Sequence, residues 1–165
     1  MKYLAIDYGA KRLGLAICDP AGRVAVPLTT FARGTNDANG DIARLMALIR
    51  GLEVEGLVFG KPGGSQGSDT TLGAAQRFAA RLQIAAETSG LNLHLNWWDE
   101  RYSTAEALRG MAEAGVSQRA GRDSQGASST DARAAMVILQ GFLDARNQRN
   151  EPDEGLARTE GAPAA

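Results

Sequence analysis

Two short apolar runs open the chain, Tyr3 to Ile6 and Leu13 to Cys18, joined through Asp7-Tyr8-Gly9-Ala10-Lys11-Arg12. They predict two strands and a short connecting turn. Asp19-Pro20-Ala21-Gly22 is a second turn, and Val24 to Phe31 reads as a third strand, so three antiparallel strands begin the domain. From Asp41 the period lengthens. Ile42, Leu45, Met46 and Ile49 fall at helical spacing, with Gly51 near the expected end. Glu55 to Gly60 is an apolar run bounded by glycine, the pattern of an interior parallel strand.

That strand empties into the loop Lys61 to Ser68, with Ser68 as N-cap of a second helix carrying Leu72, Ala75, Phe78, Ala79 and Leu82. The loop either cradles a phosphate on its backbone N–H groups or simply connects strand to helix, and no Lys-Ser or Lys-Thr pair follows as in a P-loop. Leu91, Leu93, Leu95 and Trp97 alternate with Asn92, His94, Asn96 and Trp98, predicting a strand with one apolar face that ends on Asp99-Glu100-Arg101. Trp98 either packs at the sheet's edge or stacks on a base; His94, on the polar side, reads as a surface residue. Ser103-Thr104-Ala105-Glu106 has capping-box spacing ahead of a helix through Leu108, Met111 and Ala112. Val116 to Ala127 reads as a loop, and Ser128-Ser129-Thr130-Asp131 opens a last helix with Ala134, Ala135, Ile138, Leu139 and Phe142 on its buried side. The pattern predicts one folded domain, residues 1–147, and a disordered polar tail, residues 148–165.

Composition narrows the chemistry. With 44% apolar and 22% charged residues over 165 positions, the chain has the profile of one soluble globular domain. No apolar stretch approaches the roughly 20 residues of a membrane span, and no signal peptide is visible, so a cytoplasmic protein is expected. The single cysteine, Cys18, lies inside an apolar run and reads as a buried structural thiol. One histidine leaves little room for His-based metal or triad chemistry. The net charge is −1, and the tail from Gln148 holds two arginines against four acids, so the body before it is about +1. Basic surface must therefore be local: Lys11, Arg12, Lys61, Arg101, Arg119 and Arg122 are candidates.

Topology supplies a reason to group the acids. If the runs ending at Asp7, Gly60 and Asp99-Glu100 are parallel neighbours, their carboxyl ends share one sheet edge, where open α/β sheets place ligands. Asp7 and Glu100 would project from it, and the last helix could bring Asp131 to the same place. Each has an ordinary alternative: Asp7 as a turn starter, Asp131 as a helix-dipole partner in the first turn. Three such carboxylates would repel by about 4 kcal/mol per pair at 4 Å and a dielectric near 20. A hard, oxygen-seeking cation, Mg²⁺ or Mn²⁺, would offset that, and two such ions roughly 4 Å apart suit phosphodiester cleavage.

Asp7-Tyr8-Gly9 with Lys11-Arg12-Leu13-Gly14, then Gly60-Lys61-Pro62, Asp99-Glu100-Arg101-Tyr102-Ser103-Thr104, and Thr130-Asp131 before Ala134-Ala135, resemble in order the motifs of the YqgF/RuvX family. The likeness spans roughly residues 2 to 144. It implies an RNase H-like α/β fold related to the RuvC resolvase: a mixed five-stranded sheet, three antiparallel strands then two parallel, flanked by helices. The family is described as Holliday junction resolvases and as nucleases of pre-16S rRNA maturation. The resemblance thus implies an endonuclease acting on structured RNA or branched DNA, with Asp7, Glu100 and Asp131 as catalytic metal-binding acids and Asp99 as a further contributor. Two Mg²⁺ or Mn²⁺ ions would be its cofactors. Lys11, Arg12 and Arg101 become phosphate contacts, joined by Lys61; a homodimer would suit symmetric cutting of a four-way junction. Two departures fall near the last acid: Ser129 stands where the family has Lys, and Ala132 where it has Ser. Arg122 or Arg133 could replace the missing cation. Two other classes stay open: a nucleic-acid or ribosome-associated binding protein without turnover, and an actin-like ATP-binding domain, which would need two such domains.

Overall fold

The computed structural model describes residues 1–35, 37–61, 69–99 and 130–150. The loop with Ser68, Glu100, Arg101, the capping box with its helix to Ala112, the segment Val116 to Ala127 with Arg119 and Arg122, Ser128, Ser129 and the tail beyond Asn150 lie outside them. Five strands, β1 (Tyr3–Tyr8), β2 (Arg12–Cys18), β3 (Ala25–Ala32), β4 (Gly56–Lys61) and β5 (His94–Asp99), form one sheet in the order β3-β2-β1-β4-β5. The β1–β2 and β2–β3 pairs are antiparallel, while β1–β4 and β4–β5 are parallel, the mixed arrangement expected above. Three helices are described: α1 (Ala38–Gly51), α2 (Asp69–Thr88) and α3 (Thr130–Asn150). None of the described helices is long and apolar enough to cross a membrane.

Strand alternation sorts the core into two layers. On one face, Leu4, Ile6, Leu13, Leu15, Leu57 and Phe59 pack against Ile42, Leu45 and Ile49 of α1 and Phe78, Ala79 and Leu82 of α2. On the other, Tyr3, Ala5, Ala16, Cys18 and Val58 meet Ala135, Met136, Ile138, Leu139 and Leu143 of α3. Because helices cover both faces, β4 is buried from Gly56 to Gly60 and reads as an unbroken apolar run. The small residues Ala5 and Ala16 let α3 lie close on its face.

Several local details differ from the sequence pattern. Helix α1 starts at Ala38, earlier than its apolar period, because the Asp37 carboxylate caps it by accepting from the Gly40 N–H at 2.9 Å. Gly51 is its last residue, and the left-handed residue leading out is Glu53, at φ 54°. Leu91 and Leu93 precede β5 rather than belonging to it, yet both pack into the α1/α2 layer. On α3 the buried positions include Ala132, Met136 and Leu143, whereas Ala134 and Phe142 stay partly exposed. The helix also runs on through Asn150, past the point where its apolar period stops. Trp98 packs edge-on to Phe142 and against Gly141, the sheet-edge packing role. Cys18 is buried and its sulfur accepts the Tyr3 N–H at 3.1 Å; burial pushes the thiol up from its ordinary value.

Candidate active site

Strand β1 leaves the core between Ile6, which is fully buried, and Asp7, which is partly exposed. Asp7 alternates with Tyr3 and Ala5 and so belongs to the α3 face. Its register partner on β2 is Gly14. Opposed residues of an antiparallel pair lie about 4.5–5.5 Å apart at Cα, with side chains on the same face. Gly14 carries no side chain there, and the space is taken by Asp131. A Cβ at position 14 would fall 2.1 Å from the Asp131 carbonyl oxygen and 2.9 Å from its Cβ. The first turn of α3 is thus seated on the residue beside Asp7, and the two acids, 124 residues apart in sequence, share one face of one edge. Ala132, the next residue, is fully buried.

Arg12 joins them. It begins β2, and its guanidinium Nε lies 3.1 Å from Asp131 Oδ2, with side-chain exposures of 67% for Arg12 and 34% for Asp131. The turn between β1 and β2 is closed by the Gly9 N–H donating to the Arg12 carbonyl at 3.0 Å, and Lys11 lies exposed on it. Lys61 ends β4, exposed, with Asp99 as its register partner on β5. Asp99, partly exposed, alternates along β5 with Leu95 and Trp97, which pack into the α1/α2 layer. Arg133 is exposed in the first turn of α3. Glu100, Arg101 and Arg122 lie outside the described residues.

A second cluster holds the turn from the other side, and sequence reasoning missed it. Arg33 follows β3 and donates from its terminal nitrogen to the Tyr8 hydroxyl at 2.7 Å and to the Gly9 carbonyl at 3.2 Å. Its Nε lies 3.2 Å from Oδ2 of Asp41, whose side chain is 2% exposed. The Gly34 N–H donates to the other Asp41 oxygen at 3.1 Å, and the Arg33 N–H to the Lys11 carbonyl at 2.8 Å. The guanidinium also stacks on Tyr8, 4.6 Å from the ring centroid, with Phe78 behind it at 5.4 Å. One signal was available: Asp41 sits four residues before Leu45, on the apolar stripe of α1, where a carboxylate needs a partner.

The donors at this edge are carboxylate oxygens, which suit a hard divalent cation. His94, exposed at the start of β5, and Cys18, buried against Tyr3, both lie toward the opposite edge. Among the described residues no cluster of three potential ligands is assembled. Two acids suffice for Mg²⁺, which keeps water and substrate phosphate in its remaining positions. The residues present therefore fit such an ion.

A family model described as "RuvX: Holliday junction resolvase" matches residues 1–145. A protein of Anaeromyxobacter sp. (strain Fw109-5) named "Putative pre-16S rRNA nuclease" is 40% identical over 148 residues, covering 89% of this chain and 99% of the relative. One of the same name from Moorella thermoacetica is 39% identical over 149 residues, with 90% and 98% covered. Among solved structures, Thermus thermophilus RuvC in complex with a Holliday junction substrate superposes with a TM-score of 0.59 at 16% identity, over 89% of this chain and 96% of that one. The fowlpox virus Holliday junction resolvase gives 0.51 at 13% identity, over 88% and 99%. These likenesses show the fold, that of RuvC and the RNase H-like group.

Proposed function

This chain belongs to the RuvX family of Holliday junction resolvases, and from that premise we propose that it is a divalent-metal-dependent endonuclease that hydrolyses phosphodiester bonds in structured nucleic acid. The observation that carries the reading is the seating of Asp131 on Gly14, beside Asp7. Asp7 and Asp131 would hold Mg²⁺ or Mn²⁺, with Glu100 completing the set. Bound there, a pair of such ions would offset the acids and supply Lewis-acid stabilisation of charge at the phosphorus. The chain's own residues do the rest. Arg12 and Lys11, at the mouth of the turn, position the substrate backbone; Lys61, Arg101, Arg122 and Arg133 extend the basic surface. Phosphate contacts fix position without reading sequence, so shape selects the substrate. Four-way DNA junctions and precursor 16S rRNA are the substrates to test, acting in the cytoplasm, and on a junction two copies related by a twofold axis would cut both strands.

The departures at Ser129 and Ala132 are what would favour the binding protein without turnover. Ala132 is fully buried in the first turn of α3, so the departure there falls in the packed interior rather than among groups facing substrate. Cleavage of both substrates in Mg²⁺, compared among wild type, Asp7→Asn and Asp131→Asn, tests the proposal. It expects cutting by the wild type that EDTA and either substitution abolish. Binding without cutting by the wild type would favour the alternative.

A further inference from the structure

Arg12 stands where it can serve two anions in turn. It shares a strand face with Gly14, and Asp131 is seated on Gly14, so the guanidinium and the carboxylate meet at 3.1 Å. The pair differs in kind from Arg33–Asp41, whose side chains are only 15% and 2% exposed and which holds the turn in place. Arg12 is 67% exposed and Asp131 34%, so water reaches both. An exposed ion pair of this sort shifts an equilibrium constant by roughly two- to fivefold. A divalent cation, with twice the charge and direct coordination at about 2.0–2.1 Å, displaces such a partner readily.

Resting on the metal-dependent reading above, we propose that Arg12 is the resident counter-ion of Asp131, gives up that carboxylate when a divalent cation enters, and passes its guanidinium to a substrate phosphate. Metal occupancy and nucleic-acid binding are then linked through one side chain. By reciprocity, whatever factor the metal adds to substrate affinity through Arg12, substrate adds to metal affinity.

Titration of the full chain with Mn²⁺ alone, following the electron paramagnetic resonance signal of the free ion, tests the first half. Arg12→Ala should bind Mn²⁺ about two- to fivefold tighter than wild type, Lys11→Ala should match wild type, and Asp131→Asn should lose the site. Unchanged or weaker binding by Arg12→Ala overturns the inference, as does an equal gain in Lys11→Ala, which would reduce the effect to general repulsion. If wild type and Asp131→Asn bind Mn²⁺ equally, or neither binds, the metal reading itself fails, and the inference with it. Anisotropy of a labelled four-way DNA junction in Ca²⁺ against EDTA tests the second half. The gain in affinity from Ca²⁺ should be smaller in Arg12→Ala by a similar two- to fivefold; an equal gain in both proteins refutes the linkage.

Discussion

Gly14→Ala gives the sharpest perturbation of the proposed site without touching an acid. The added methyl would lie 2.1 Å from the Asp131 carbonyl oxygen and 2.3 Å from its carbonyl carbon, where ordinary contact begins at 3.4 Å. The oxygen must therefore retreat by about 1.3 Å. Farther along, α3 cannot follow freely: Ala135, Ile138, Leu139 and Leu143 are buried, and the Gln140 side chain bonds the Ala25 N–H and the Arg23 carbonyl, each at 2.9 Å. The strain falls on the first turn, which carries Asp131. Overpacking of this kind costs about 1–3 kcal/mol, and a misplacement near 1 Å can cost about 10²-fold in rate. Gly56→Ala is the matched control. Its methyl would meet the Tyr3 ring at 2.4 Å on the same face but toward the opposite edge, destabilising the protein without displacing Asp131. Urea unfolding and cleavage of a four-way junction, assayed well below the melting temperature, should show similar stability losses in both variants and a rate loss of about 10²-fold in Gly14→Ala alone. Wild-type rates in Gly14→Ala, or equal rate losses in the two, would refute the reasoning.

Arg33→Ala strips Asp41 of its cation while the carboxylate stays 2% exposed, so a loss of about 3–5 kcal/mol is expected in urea unfolding. Pairing it with Asp41→Asn should cost less than the sum of the two single changes, and strict additivity would contradict the described contact. Asp7→Asn and Asp131→Asn should abolish cleavage yet leave the fold intact. Because its partner Arg12 is mostly solvated, Asp131→Asn should lose at most about 1 kcal/mol, and a loss of several would mark a structural role. The Val24 and Arg23 N–H groups, at 2.8 and 2.7 Å, hold the Asp19 carboxyl below its ordinary value of 3.8. A depressed folded value stabilises above the unfolded one and is lost as pH falls through the folded one. Asp19→Asn should therefore unfold at a lower temperature than wild type at pH 7, with the difference closing in acid; a constant difference would contradict this.

Four of the five strands were legible because their apolar runs end on glycine or a carboxylate, at Asp7, Asp19, Gly60 and Asp99, and the period shift at Asp41 announced the first helix. That three parallel ends share an edge followed from chain order and the resemblance. What the sequence pattern hid is long-range fit. Gly14 looks like any strand glycine until α3 is laid across it, and the arginine following β3 acquires a meaning only once Tyr8 and Asp41 surround it. The buried side of α3 was misjudged at Met136 and Leu143 because a helix lying on Ala5 and Ala16 contacts the sheet more broadly than a narrow stripe implies. For Asp99 two sequence signals pull apart: motif likeness groups it with the acids, while strand alternation groups it with Leu95 and Trp97.

The central claim is that Asp7 and Asp131 hold one divalent cation between them, and anomalous diffraction from a crystal soaked in Mn²⁺ tests it most directly. The account predicts a peak within about 2.0–2.3 Å of a carboxylate oxygen from each residue, with Arg12 swung away from Asp131. An anomalous map with no peak between them, or with manganese bound to other residues while Arg12 still pairs with Asp131, would contradict it.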